Sequence, residues 1–344
     1  DVAPSRGLGD VYKRQVKFWG DRIGLTFDYF MEHRDNILCN RNTVPTIIGI
    51  SASNLPAYNM GRMRNSGWDG EISVGDRIGD WSYFVKANFT YAHNKILEQD
   101  EVIRNEDYLY RTGLRYGQFF GYVADGIFNS WEEVNAAGRP EYVMANNNNK
   151  IQPGDVRYVD INGDGKINDD DQVPIGYSNF PEIMYGISLG GSYKNLDISL
   201  LFQGATHVSN MPSRRIMRGF YEYTGANRDL LKSWSYERFV NNQKIVYPRY
   251  GVNGVGHNYL TSTYWLENAS YLRLKNVEVG YTFRQESLKK AGIGSIRIYV
   301  NGSNLLTWTD MLPGQDPEVA NAGVTNSEPY PVTRVFNFGL NVNF

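Results

Sequence analysis

The sequence predicts an all-β protein, an antiparallel up-and-down transmembrane β-barrel wall of about eight strands with long extracellular loops. Three observations predict it. Apolar side chains recur at every second residue over several stretches. The links between those stretches are long and short in turn. The last stretch alternates up to an aromatic end.

That last stretch, TRVFNFGLNVNF, spans residues 333–344. Phe336, Phe338, Leu340, Val342 and Phe344 share one parity, and Asn337, Gly339, Asn341 and Asn343 the other. A strand sends alternate side chains to opposite faces, so one face is apolar and the other polar. An alternating strand closing on an aromatic residue is expected where a barrel wall meets a membrane surface. These five apolar residues resemble the C-terminal signal by which outer-membrane barrels are recognised for insertion.

Taken in order, residues 1–15 show no period and read as a non-native linker, with the fold expected from Val16 onward. Ile23, Leu25, Phe27, Tyr29 and Met31 predict the first strand, and residues 68–74 the second. Residues 75–80, GDRIGD, read as a turn. Trp81, Tyr83, Val85, Ala87, Phe89 and Tyr91 form one face of the third strand. Residues 92–181 form a long loop, with a short hairpin expected near residues 119–128 and an asparagine tract at 146–149. Tyr185, Ile187 and Leu189 mark a strand that turns at Lys194-Asn195 and returns through Leu196, Ile198, Leu200 and Phe202. After a long segment, 204–270, comes a strand over 272–283 whose parity slips near Lys275 and Asn276, the mark of a bulge. Ile296, Ile298 and Val300 carry the next, and a long loop over 304–332 leads to the closing strand.

Parity assigns the faces. Phe27, Val85, Leu189, Ile198, Ile298 and Phe338 are expected to face lipid, and Asp28, Lys86, Ser188, Ser199, Arg297 and Asn337 the lumen. Placing the short links on the periplasmic side sends all four long loops, 34–65, 92–181, 204–270 and 304–332, outward together.

Composition narrows the function classes. The chain has 344 residues, net charge −2 and 14% aromatic residues, with no basic excess suited to nucleic acid. Its longest apolar runs are too short for a membrane helix, which leaves a barrel open because barrel strands are only half apolar. Cys39 is the lone cysteine, and the four histidines form no metalloprotease spacing. Gly186-Ile187-Ser188-Leu189-Gly190 matches the nucleophile elbow, but it lies inside an alternating strand rather than at a strand-to-helix turn. No enzymatic activity is expected. Three glycosylation sequons, starting at Asn88, Asn268 and Asn301, carry no weight.

The sharpest motif is DINGDGKINDDD, residues 160–171. It follows the calcium-loop pattern of oxygen donors at alternate positions around a glycine turn. Asp160, Asn162 and Asp164 would supply side-chain oxygens, Lys166 its carbonyl, Asn168 a direct or water-bridged contact, and Asp171 the closing carboxylate. Asp171 is one methylene shorter than the usual glutamate. Ile167 would anchor the loop to a core. The expected ion is a structural Ca²⁺. The neighbouring carboxylates Asp155, Asp169 and Asp170 also raise acid–base chemistry, and Trp131, Tyr221, Tyr223, Tyr236 and Trp265 raise sugar stacking; loop packing explains these aromatics equally well.

Together, GYVADGIF at 121–128, GDVRYVDINGDGKINDDD at 154–171, Tyr185-Gly186, LLTW at 305–308 and the closing residues 330–344 make the chain resemble a known family. It is similar to the C-terminal part of the SusC/RagA-type TonB-linked outer-membrane transporters of Bacteroidetes. The resemblance implies a barrel of about 22 strands around an N-terminal plug. It further implies import of oligosaccharides or peptides, a SusD-like surface lipoprotein as lid, and TonB contact through a region upstream of this sequence. The alternative is a soluble, secreted, β-rich protein with a calcium-stapled sugar-binding face.

Overall fold

The computed structural model describes residues 7–20, 22–50, 54–143, 151–221, 225–226, 228–251, 256–290, 292–319 and 331–344. Nine strands form one antiparallel sheet in sequence order. They are β1 (Gly7–Phe18), β2 (Ile23–Cys39), β3 (Tyr58–Ile78), β4 (Trp81–Glu98), β5 (Ile183–Tyr193), β6 (Leu196–Thr206), β7 (Tyr271–Phe283), β8 (Ser295–Thr309) and β9 (Val335–Asn343). Each pairs with its chain neighbours, as in an up-and-down wall. Short links join β1–β2, β3–β4, β5–β6 and β7–β8 at one end, and long connections join the rest at the other. The tight turns use left-handed backbone at Gly79 (φ 61°) and Lys194 (φ 53°), which two-residue hairpins require.

The register carries the apolar parity across the wall. Ile198 lies opposite Val279, Val279 opposite Val300, and Val300 opposite Phe338. These side chains are exposed, Phe338 at 80% and Ile198 at 45%. Aromatic residues collect at both ends of this face. Near the short turns stand Trp81, stacked on Tyr193 at 4.5 Å, and Tyr281, edge-on to Phe283. Toward the long loops stand Tyr29 opposite Trp68, Tyr91 opposite Trp68, and Trp308. An apolar band bounded by two aromatic girdles is the lipid-facing pattern of a membrane barrel.

The sheet departs from the sequence reading in four ways. Residues 1–15 read as a linker in the sequence, yet Gly7–Phe18 is an edge strand paired with Ile23–Arg34 in unbroken register. Residues 75–78, read as part of a turn, continue β3, and the turn is only Gly79-Asp80. β2, β3 and β4 run well past the alternating stretches. Beyond the apolar band both faces are wet, so hydrophobic alternation stops marking the strand, while backbone pairing and ion pairs such as Arg34–Glu32 and Arg62–Glu98 persist. The hairpin expected at 119–128 does not form. Gln118–Gly121 pairs with Val173–Ser178, and Ala124–Ile127 with Val156–Tyr158, because Tyr122 and Val123 between them offer no hairpin turn. The bulge expected near Lys275 is present, with the register shifting between Leu274 and Asn276.

The two longest connections fold together into a lobe above the wall. Tyr122, Phe128, Tyr142, Val156, Tyr158 and Ile167 of the first connection pack with Leu260 and Tyr264 of the second. Met217, Tyr247, Tyr259 and Trp265 form an adjoining core. The asparagine tract lies outside the described residues.

Candidate functional site: the polar face of the wall and its loop lobe

The face opposite the apolar band carries paired charges. Lys86 meets Glu71 at 3.1 Å, and Arg297 meets Asp197 at 2.5 Å and Glu278 at 2.7 Å. Asn337 donates to Asn301 at 2.9 Å. The six residues expected to face lipid and the six expected to face the lumen fall on opposite faces of this sheet, in register. Paired charges on one face and bare apolar groups on the other divide the sheet into lumen and lipid sides.

The fourth long connection does not simply rise outward with the others. Residues 310–319 lie back over the polar face. Arg273, 2% exposed on β7, reaches Asp316 at 2.7 Å and Glu318 at 3.0 Å, and Lys275 reaches Glu318 at 2.8 Å. Glu267 adds hydrogen bonds from the Leu312 backbone and the Gln315 side chain. A buried guanidinium needs such partners, and this pairing fixes where the segment sits.

Two histidines that look scattered in the sequence converge on Glu182, just before β5. Its carboxylate, 5% exposed, lies 2.6 Å from His93 Nδ1, 2.6 Å from Arg115 Nε and 3.3 Å from His207 Nδ1. Tyr177 stacks on His207 at 4.6 Å. This node ties the ends of β4, β5 and β6 to the loops. Nothing in the spacing of residues 93, 115, 182 and 207 signals it, because the sheet register alone creates the contact.

A second node holds the lobe. The fully buried Asp155 accepts from Arg249 Nε at 2.5 Å, from Asn258 at 2.8 Å and from the Gln152 backbone at 2.8 Å, with His257 Nε2 at 3.1 Å. Burial alone would push the Asp155 carboxyl up. The hydrogen bonds and charge of His257 and Arg249, with Asn258, outweigh it and hold the group below the usual carboxylate range. Asp155 therefore serves the lobe's interior and stands apart from the acidic loop grouped with it by sequence.

The calcium-like loop follows a chain of backbone turns. Asp160 accepts from the Gly163 and Gly165 N–H groups at 2.8 Å each, Asn162 from Asp164 at 3.1 Å, and Asp164 from Lys166 at 2.8 Å. Gly165 takes φ 80°, which permits the sharp reversal at the sixth position. Asn168 accepts from the Asp170 backbone, and Asp171 from Ile161 and Asn168 at 2.8 Å each. Burial raises the Asp171 carboxyl's pKa, against these backbone donors. Ile167 is fully buried in the lobe core, as an anchor should be. The donors are all oxygen and keep the motif's spacing. Among the described residues, however, no group of three or more His, Cys, Asp or Glu side chains gathers closely enough to hold a metal. The fit is one of spacing and turn path rather than convergence.

The remaining sequence candidates disperse. Asp169 bonds Gln172 and Tyr122, and Asp170 bonds Asn105. Trp265 is buried core, whereas Trp131 and Tyr236 are exposed at 58% and 69%; Tyr221 is half-buried, and Tyr223 lies outside the described residues. Ser188 lies within β5, with no strand-to-helix turn around it.

No family model matches the chain. It is 28% identical over 356 residues to TonB-dependent receptor P3 of Formosa agariphila, covering 96% of this chain and 33% of that protein. It is 24% identical over 343 residues to TonB-dependent receptor SusC of Bacteroides thetaiotaomicron, covering 95% of this chain and 31% of that protein. Among solved structures, the RagAB peptide transporter superposes with a TM-score of 0.72 at 22% identity, covering 98% of this chain and 35% of that chain. The RagAB peptide importer in its open-open state gives 0.73 at 21% identity, covering 100% and 35%. The chain thus spans about a third of the length of the curated relatives it matches. The fold is that of an outer-membrane β-barrel wall. Within that class, the chain is similar in sequence to TonB-dependent receptors, SusC among them, over about a third of their length, and shares its fold with RagAB.

Proposed function

We propose that this chain forms the C-terminal wall and outer loops of a TonB-dependent transporter that imports oligosaccharides or peptides under a SusD-like lipoprotein. The observation that carries the reading is the single nine-stranded sheet, with an aromatic-bounded apolar face outside, paired charges inside and its long connections gathered at one end. The lobe built by the two longest connections is the natural seat for the lipoprotein, since long ordered loops usually carry function. TonB would engage the region upstream. Phe336, Phe338, Leu340, Val342 and Phe344 would guide insertion into the outer membrane.

The test is co-purification of the full-length parent with its neighbouring lipoprotein. Because the two connections share one core, both are shortened together to tight turns. The shortened barrel is expected to reach the outer membrane and lose its partner. Retention of the partner at unchanged affinity removes the lobe as the docking rim.

The loop at residues 160–171 is proposed to hold Ca²⁺ through the side chains of Asp160, Asn162, Asp164, Asn168 and Asp171 and the Lys166 carbonyl. Its role is structural, because closing a long connection removes disorder. Saturating Ca²⁺ is expected to stabilise the lobe by about 2–3 kcal/mol at a hundredfold excess over the dissociation constant. Asp160→Ala should abolish that response. Identical protease resistance of the full-length protein in Ca²⁺ and in chelator refutes the site.

A further inference from the structure

Two cavities open on the polar face where the wall meets the loops. One, of ≈ 580 Å³, is lined by Asn88, Thr90, Met184 and Gln203. The other, of ≈ 730 Å³, is lined by Asn59, Met63, Asn65 and Asn94. Phe180 and Pro181 line both, so the two are halves of one track across the tops of β2 to β6. Each is within the size range of a small-ligand pocket.

Apolar side chains such as Met63 and Met184 share the track's lining with amides and hydroxyls. Phe180 stands between the halves with its ring 6.1 Å from that of Tyr116 and nearly parallel to it, and both rings are about half exposed. Around this ridge the uncharged polar groups are amides and hydroxyls, Asn88, Asn94, Gln203 and Thr90 among them. Asn179 lines the first cavity, and its buried Oδ1 has no hydrogen-bond partner among the described residues. The charged groups on the lining are already engaged. Asp316 and Glu318 are held by Arg273 and Lys275, Glu182 by Arg115 and His93, and Arg34 by Glu32.

A charged ligand entering here would lose water and gain no free counter-charge. A ligand with both hydroxyls and apolar ring faces would lose little, since amides donate and accept and an exposed aromatic plate stacks. We propose that the track binds an uncharged oligosaccharide, with a sugar ring laid on Phe180 and Tyr116 and its hydroxyls bonded to Asn88, Asn94, Asn179 and Gln203. This rests on the import function proposed above and specifies its substrate class.

The test uses the complete transporter, purified from outer membranes and titrated calorimetrically. The probes are maltohexaose, cellohexaose, laminarihexaose, mannohexaose and xylohexaose, set against hexa-alanine and hexagalacturonate. At least one neutral hexasaccharide should bind, with hexa-alanine and hexagalacturonate silent. Phe180→Ala should weaken that binding about tenfold, with Phe180→Tyr retaining it. Heat-modifiable migration of each variant reports that the barrel is folded. The inference is overturned if no neutral hexasaccharide binds, if hexa-alanine or hexagalacturonate binds in preference, or if folded Phe180→Ala binds the sugar unchanged. TonB-dependent uptake of hexa-alanine alone defeats this inference and leaves the import function standing. Uptake of no probe by TonB-energised cells defeats both.

Discussion

Asp155→Ala in the full-length protein is expected to unfold the loop lobe while the wall stays in the membrane. The substitution leaves Arg249 and His257 facing a cavity where a carboxylate had met them at 2.5 and 3.1 Å. Removing one partner of a buried ion pair costs about 3–5 kcal/mol, because the other charge is stranded. Limited proteolysis should cut the lobe within residues 151–251 at a rate raised by orders of magnitude, with heat-modifiable migration of the barrel unchanged. Equal protease resistance of wild type and variant rejects the node as the lobe's main tie. The pH dependence has a definite sign. The folded carboxyl lies below its unfolded value of about 3.9. Its contribution is therefore complete above about pH 4 and is lost as pH falls through the lower folded value. Asp155→Asn should start less stable and show a flatter acid limb.

Ile187→Arg is expected to block assembly where Ser188→Arg does not. The two are neighbours on β5 and face opposite sides of the wall. Ile187 lies opposite Ala87 and Phe202, midway between the aromatic girdles. Arginine there costs about 2–4 kcal/mol against lipid. Ser188 faces the lumen, where water solvates the new charge. Ile298→Arg should cost less, about 0–1 kcal/mol, because Ile298 pairs with Tyr281 and Leu340 close to the short-turn end. Folding titrations in lipid vesicles measure all three. Equal costs at 187 and 188 would refute the assignment of faces.

The strands inside the apolar band were legible in sequence because burial on one side only writes period two into the chain. Phe336 to Phe344 and Trp81 to Tyr91 are examples. The outer halves of β2, β3 and β4 were not legible, since residues such as Arg62 and Lys95 sit where both faces meet water. The calcium-like turn path was visible because its donors recur at alternate positions within one short stretch, residues 160–171. The Glu182 and Asp155 nodes were invisible because they join residues far apart in the chain, His93 to Glu182 and Asp155 to Asn258 among them. The same holds for Arg273 and the segment folded over it.

The shared lobe core has a consequence for how such proteins diversify. Val156 hydrogen-bonds to Asn258 and Tyr158 to the His257 carbonyl, across the whole β5–β6 hairpin. A graft or recombination that imports one of these connections from a relative brings half an interior and no complement. New specificities at this rim should therefore be inherited as a block running from the end of β4 to the start of β7, hairpin included. Chimeras joined outside that block should assemble, and chimeras joined within the hairpin should display an exposed, protease-sensitive lobe.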